Sequence, residues 1–151
     1  RLNVWITCRR QEAPGIFLRL VPKKLVLGIG CRRGTPGNAI KAAVNSVMAE
    51  HHLDICGVSE IASIDLKKEE PGLCTYCEKY GIPFQTFSKE ELEQAEGTFT
   101  GSEFVKQTTG VDNVCERSAM CAGGEKILVH KTAHDGVTVA VAVEKWRVDF
   151  E

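Results

Sequence analysis

Residues 25 to 36, Leu-Val-Leu-Gly-Ile-Gly-Cys-Arg-Arg-Gly-Thr-Pro, constrain the chain more than any other stretch. The apolar run Leu25 to Leu27 reads as a strand, broken by Gly28, Gly30 and Gly34. Thr35 can cap the helix that follows, and Pro36 suits a first helical position, where its missing N–H costs nothing. The stretch therefore predicts strand, glycine loop and helix start. A glycine loop lets backbone approach a ligand and points free N–H groups at an anion. Arg32 and Arg33 inside it add guanidinium forks suited to carboxylate or phosphate. The spacing is neither the dinucleotide fingerprint nor a P-loop. Two readings stand: an anion-binding corner, or a tight strand-to-helix turn with solvated arginines.

The rest of the chain alternates. Leu2 to Thr7 and Ile16 to Val21 are short strand candidates, with a Pro14-Gly15 turn between them. Residues 36 to 52 form a helix whose apolar stripe is Ala39, Ile40, Ala43, Val44, Val47 and Met48. His51 and His52 are its solvated end. A strand lies within Ile55 to Ile64, and a helix runs from Glu69 until Gly81 and Pro83 stop it near Tyr80. Phe84 to Phe87 is a strand, and Ser88 with Glu91 makes a capping box. After a polar loop at 98 to 101, 102 to 109 and 113 to 122 are two short helices. Ile127 to Lys131 and Val137 to Val143 are strands joined at His134-Asp135-Gly136, a hairpin signal. This order predicts a three-layer α/β/α fold with a mostly parallel mixed sheet, an antiparallel edge and a C-terminal β-hairpin. Ligands of such sheets bind outside the carboxyl ends of the strands. That places 28 to 35 at the mouth of a site, with Ser63, Asp65 and Lys67 beside it.

Composition narrows the classes. At 151 residues and 43% hydrophobic, the chain can bury a core as one domain, or as one domain with a tail. A net charge of -1 provides no field to gather nucleic acid or a membrane surface, and no apolar run is long enough to span a bilayer. Seven cysteines, an odd number in a chain with its own core, argue for reduced thiols and a cytoplasmic location.

The remaining candidates each have a plain alternative. Cys74 and Cys77 form a CxxC without a second ligand pair nearby. They read as helix-packing residues rather than a metal or redox pair. Cys31, near a helix N-terminus and two arginines, is expected to have a lowered pKa and is a nucleophile candidate. Asp65 could accept a proton or cap a helix, and Lys67 could contact substrate or be solvated. Glu116, acidic within an apolar run, could face the cleft or cover a helix surface. His130, His134 and Asp135 read as turn and edge residues. Trp5 and Trp146 would pack together if the terminal strands pair.

Gly-Ile-Gly-Cys-Arg-Arg-Gly at 28 to 34 resembles the opening of the C-terminal domain of the cobalamin biosynthesis protein CbiG, shared with the CobE proteins. Further blocks continue the resemblance at Ala62 to Lys67, Glu70 to Leu73, Gly81 to Pro83, Phe87-Ser88, Glu91-Leu92, Gly110-Val111, Val114 to Glu116 and Gly136 to Val143. It covers about residues 20 to 145. On this reading 1 to 22 are the remnant of a preceding domain or a linker, and 23 to 151 are the CobE/CbiG-like domain.

The resemblance implies a role in the anaerobic branch of cobalamin synthesis. The family hydrolyses the ring lactone of cobalt-precorrin-5A, releasing acetaldehyde. It implies no cofactor or metal of the protein's own, because the substrate carries the cobalt. A macrocycle fringed with carboxylates would be held by Gly28, Gly30, Arg32, Arg33, Gly34, Thr35, Ser63, Lys67 and Glu116. Backbone N–H groups at 31 to 35 would help an oxyanion, and Asp65 and Cys31 are the catalytic candidates. Besides the corrinoid, candidate partners are other corrin-pathway enzymes and a second copy of the chain; nucleic acid and membrane are not expected. The alternatives are an accessory domain that binds or hands over a corrinoid and an unrelated anion-binding α/β domain.

Overall fold

The computed structural model describes residues 3–10, 15–96, 99 and 113–145. The predicted helix at 102 to 109, nearly all of the loop at 98 to 101, Pro14 and Trp146 lie outside these residues.

Two strands open the chain, β1 (Asn3–Ile6) and β2 (Phe17–Leu20), paired in parallel as a sheet of their own. The main sheet comprises β3 (Leu25–Cys31), β4 (Val58–Ile64), β5 (Phe84–Phe87), β6 (Gly124–His134) and β7 (Val137–Glu144), in the order β5-β4-β3-β7-β6. Strands β3, β4 and β5 are mutually parallel neighbours, and β7 runs antiparallel to both β3 and β6. The predicted mixed sheet with a C-terminal hairpin is thus present. Asp135 and Gly136 turn the hairpin with φ of 47° and 80°, the positive pair a tight two-residue turn needs.

Helix α1 (Gly37–Glu50) follows β3 and α2 (Pro71–Tyr80) follows β4. The α1 stripe Ile40, Ala43, Val44, Val47 and Met48 joins Leu73, Tyr76 and Cys77 of α2 over Leu25, Leu27 and Ile29. On the other face lie α3 (Lys89–Glu93) and α4 (Val114–Cys121). There Leu92 and Val114 pack on Ala62, Ile64 and Phe87, and Ala119 packs on Val26 and Ala142. Three layers result, as the periodicities predict. The Ser88–Glu91 capping box starts α3, and Gly81, with φ 63°, ends α2.

The expected glycine break is different. Strand β3 continues through Gly28 and Gly30 to Cys31. A Cβ on Gly28 would stand 1.6 Å from the Cys115 carbonyl oxygen, so this glycine exists to let α4 lie against the sheet. The helix start also differs. Thr35 does not cap α1, because its hydroxyl donates to the Arg32 carbonyl (2.7 Å). Pro36 occupies the cap position itself, with no side-chain cap.

The β1–β2 pair docks at the opposite end of the main sheet from the β3–α1 loop. Arg10 N–H donates to the His52 carbonyl and Asp54 N–H to the Cys8 carbonyl, both at 2.7 Å. Arg19 of β2 reaches Asp54 at 2.7 Å. The Trp5 and Phe17 rings pack together, tilted by 40° with centroids 5.5 Å apart. Among the described residues no helix is long and apolar enough to cross a membrane. All seven thiols are free.

Candidate functional site

The carboxyl ends of β3, β4 and β5 are followed by α1, α2 and α3, and Val114 at the start of α4 packs beside Ile64 and Phe87. Four helices therefore begin at one end of the sheet. Each contributes positive potential there through its dipole.

Loop 32–36 lies at this end. Gly34, with φ 81°, turns the chain in the left-handed region, and nothing lies within 4 Å of where its Cβ would be. Its N–H donates to Glu70 Oε1 at 2.7 Å. The other Glu70 oxygen lies 3.7 Å from Lys67 Nζ, in a pair whose side chains are largely buried. Thr35 N–H goes to the Arg32 carbonyl. Two loop N–H groups expected to serve an oxyanion are therefore already occupied, one of them by a carboxylate of the protein itself. Nothing in loop composition identifies Glu70; its partner comes from 36 residues away, across the β3–β4 crossover.

Helix α2 begins hard against this loop. A Cβ on Gly72 would stand 2.0 Å from the Thr35 carbonyl oxygen, so only glycine permits the approach. Between the two helix starts is an open groove of about 370 Å³, lined by Gly34, Thr35, Pro36, Gly37, Glu70 and Thr75 among others. It leads to a smaller one of about 190 Å³ lined by Asn38, Lys41, Lys79 and Tyr80. Tyr80 is 42% exposed, with the Lys41 and Lys79 ammonium groups 5.9 and 5.6 Å from its ring centroid. Sequence reading missed this aromatic surface with its two cations. Lys41 and Tyr80 are distant in sequence, and only the α1–α2 contact joins them.

Arg32 and Arg33 are exposed, and among the described residues neither side chain has a hydrogen bond or ion pair. The Arg32 stem runs past the hairpin tip, its Cδ 3.9 Å from where a Gly136 Cβ would be. Cys31 pairs with Val137 at the end of β3 and is half-buried. Burial pushes its thiol up, the Lys67 ammonium opposes this, Glu70 adds to it, and the Thr35 hydroxyl opposes it again. The net direction is upward, which overturns the expectation of a lowered pKa. Desolvation outweighs the nearby cation, and no shift traces to the arginines. Asp65 is exposed at the start of a short 3-10 turn, Asp65–Lys67.

The structure thus gathers Cys31, Arg32, Arg33, Gly34, Thr35, Asp65 and Lys67 at one end. Four other candidates point elsewhere. Gly28 faces α4. A Cβ on Gly30 would crowd the Thr138 hydroxyl at 2.6 Å. Ser63 is fully buried and donates to the Ile29 carbonyl at 2.7 Å, extending the β3–β4 bonding where the ladder has opened. Glu116 is fully buried on α4, with Oε1 2.5 Å from Nδ1 of His130 on β6. His130 is therefore more than the edge residue expected from sequence.

The CxxC lies within α2. Cys77 is in the core, its thiol pushed up to about 12 by burial and by Cys74. Cys74 is half-buried and donates to the Lys68 carbonyl. Among the described residues no cluster of three metal-ligating side chains occurs.

Comparison with known proteins matches residues 25–142 to the family model described as cobalamin synthesis G C-terminus. A cobalt-precorrin-5A hydrolase of Salmonella typhimurium is 36% identical over 132 residues, 87% of this chain and 38% of that protein. The enzyme of that name from Priestia megaterium is 33% identical over 85% of this chain and 34% of its own length. The chain therefore spans little more than a third of these relatives. The crystal structure of CobE, from the cobalamin (vitamin B12) biosynthetic pathway, superposes with a TM-score of 0.74 at 28% identity. That match covers 82% of this chain and 92% of CobE.

Proposed function

The chain belongs to the cobalamin synthesis G C-terminus family, and from that membership we propose that it forms the C-terminal domain of a cobalt-precorrin-5A hydrolase. Its substrate is a cobalt-bearing macrocycle fringed with carboxylates, and its reaction opens the ring lactone and releases acetaldehyde. The observation that carries this reading is the pair of exposed guanidiniums, Arg32 and Arg33, without a hydrogen bond or ion pair among the described residues, on the loop that also lines the open groove.

Three features support it. Guanidinium forks bind carboxylates bidentately, and free ones need break no internal bond to do so. The Tyr80 ring, with Lys41 and Lys79 beside it, offers an apolar plane with cations at its rim, complementary to a flat macrocycle bearing anionic arms. The helix starts add positive potential at the same end.

Of the catalytic candidates, Asp65 is a solvent-accessible carboxylate on the turn that follows β4, and serves as a proton acceptor. Burial pushes the Cys31 thiol up, which disfavours the thiolate that a nucleophile would need. The free thiols agree with a cytoplasmic setting.

The test is titration with a cobalt-corrinoid lactone, following tryptophan fluorescence and assaying acetaldehyde in the same tube. Binding that Arg32→Ala with Arg33→Ala weakens at least tenfold supports the proposal, since each lost carboxylate contact to a charged donor is worth roughly 1.5–3 kcal/mol. Acetaldehyde release lost in Asp65→Asn places catalysis on this domain. No binding would remove the ligand from the arginine loop and leave the family likeness as one of fold.

A further inference from the structure

The α4 face carries a buried carboxylate in contact with an exposed imidazole, outside the groove. Glu116 sits in the first turn of α4, fully buried, its backbone N–H held by the Asn113 side chain at 3.0 Å. Its Oε1 lies 2.5 Å from Nδ1 of His130, on the edge strand β6. The His130 side chain is 62% exposed. One partner is thus locked inside the protein while the other reaches the surface.

The chemistry follows from the donor inventory. A carboxylate only accepts, so Nδ1 of the neutral imidazole carries the proton and Nε2 carries the lone pair. A buried carboxylate that fixes the tautomer and ring orientation of an imidazole also stabilises the imidazolium that forms when Nε2 takes a proton.

We infer that His130 is a general base with Glu116 as its positioning residue, serving an ester-type carbonyl presented on the α4 face. Water gives its proton to Nε2 as its oxygen bonds to the carbonyl carbon. The carbonyl carbon–alkoxy oxygen bond then breaks, and the departing oxygen takes the proton back from Nε2. Acid and alcohol are released and the imidazole is neutral again. This deepens the lactone hydrolase reading, on which the physiological substrate rests, by adding an acceptor distinct from Asp65. The proton-accepting property of the pair does not depend on corrinoid recognition.

Two measurements on the whole chain test it. In ¹⁵N-labelled protein, neutral His130 is expected as the Nδ1–H tautomer, reverting to Nε2–H in Glu116→Gln and retained in Glu116→Asp. In a Cys56→Ser background, which removes an exposed thiol, hydrolysis of p-nitrophenyl acetate is expected to fall at least tenfold in His130→Gln. An Nε2–H tautomer in the native protein, or an unchanged rate in His130→Gln, overturns the inference. Should Glu116→Gln fail to fold, the native tautomer and the exposed His130→Gln variant still decide. A chain that ignores corrinoid lactones yet passes both tests refutes the proposed substrate and leaves the pair standing.

Discussion

The carboxylate of Glu70 accepts the backbone N–H of Gly34 at 2.7 Å, so the start of α2 closes the loop that follows β3. The same carboxylate faces Lys67. This contact holds the groove in shape and occupies a donor that loop chemistry alone would have left for a ligand.

Glu70→Ala should therefore cost roughly 1.5–3 kcal/mol, the range for a hydrogen bond to a charged group whose loss leaves buried partners unpaired. Urea unfolding measures it. A variant within a few tenths of the parent would mean that water replaces the carboxylate at no cost.

Gly28 and Gly34 should respond to alanine by different mechanisms. At Gly28 a methyl group would collide with the Cys115 carbonyl at 1.6 Å, so α4 must move. Gly28→Ala should cost about 3 kcal/mol or more. At Gly34 there is open space and only the φ of 81° to oppose a side chain. Gly34→Ala should cost about 1–2 kcal/mol. Equal losses would contradict this assignment of causes.

Alkaline stability should fall between about pH 9 and pH 12. Burial, then Tyr80 and Cys77, push the Tyr76 hydroxyl from 10.0 to about 12. Cys77 rises from 9.0 to about 12 through burial and then Cys74. Burial is also the largest cause at Cys115, which reaches about 12. In each case the unfolded chain releases its proton first, so the folded state binds more protons in that window and stability drops as pH rises. The slope is at most about 1.4 kcal/mol per pH unit for each proton. Cys77→Ala should flatten it, as urea midpoints taken from about pH 8 to 11 would reveal.

Arg19 and Asp54 should control the hold on the β1–β2 pair. Burial alone would raise the Asp54 carboxyl, but the Cys56 N–H and the Arg19 guanidinium outweigh it and leave it below its usual 3.8. A lowered folded pKa contributes stability at neutral pH that is lost as pH falls through about 4 and below. Arg19→Met should leave a buried carboxylate short of a partner at roughly 1–3 kcal/mol. Amide exchange in residues 3–10 and 17–20 should accelerate first. Uniform acceleration through the main sheet would show that the small sheet does not open separately.

Periodicity and local chemistry determined the layers. The α1 stripe, the Ser88–Glu91 box, the Gly81 stop and the Asp135-Gly136 turn each depend on residues within a turn or two of one another. Such interactions are written into short stretches, so the order of elements and the hairpin are legible in the amino-acid sequence. So is the cluster from Cys31 to Thr35, because those residues are consecutive.

Only the tertiary structure decided what those residues face. Gly28 looks like loop glycine in a one-dimensional pattern, but α4, far along the chain, makes it a packing glycine. Cys31 stands near cations in sequence, yet burial between strand and loop governs its proton. Glu70 reaches Gly34, Tyr80 meets Lys41, and Glu116 meets His130 only because helices pack on a common sheet. Local propensity depends on neighbours along the chain, whereas burial, pairing and proton affinity depend on neighbours in space.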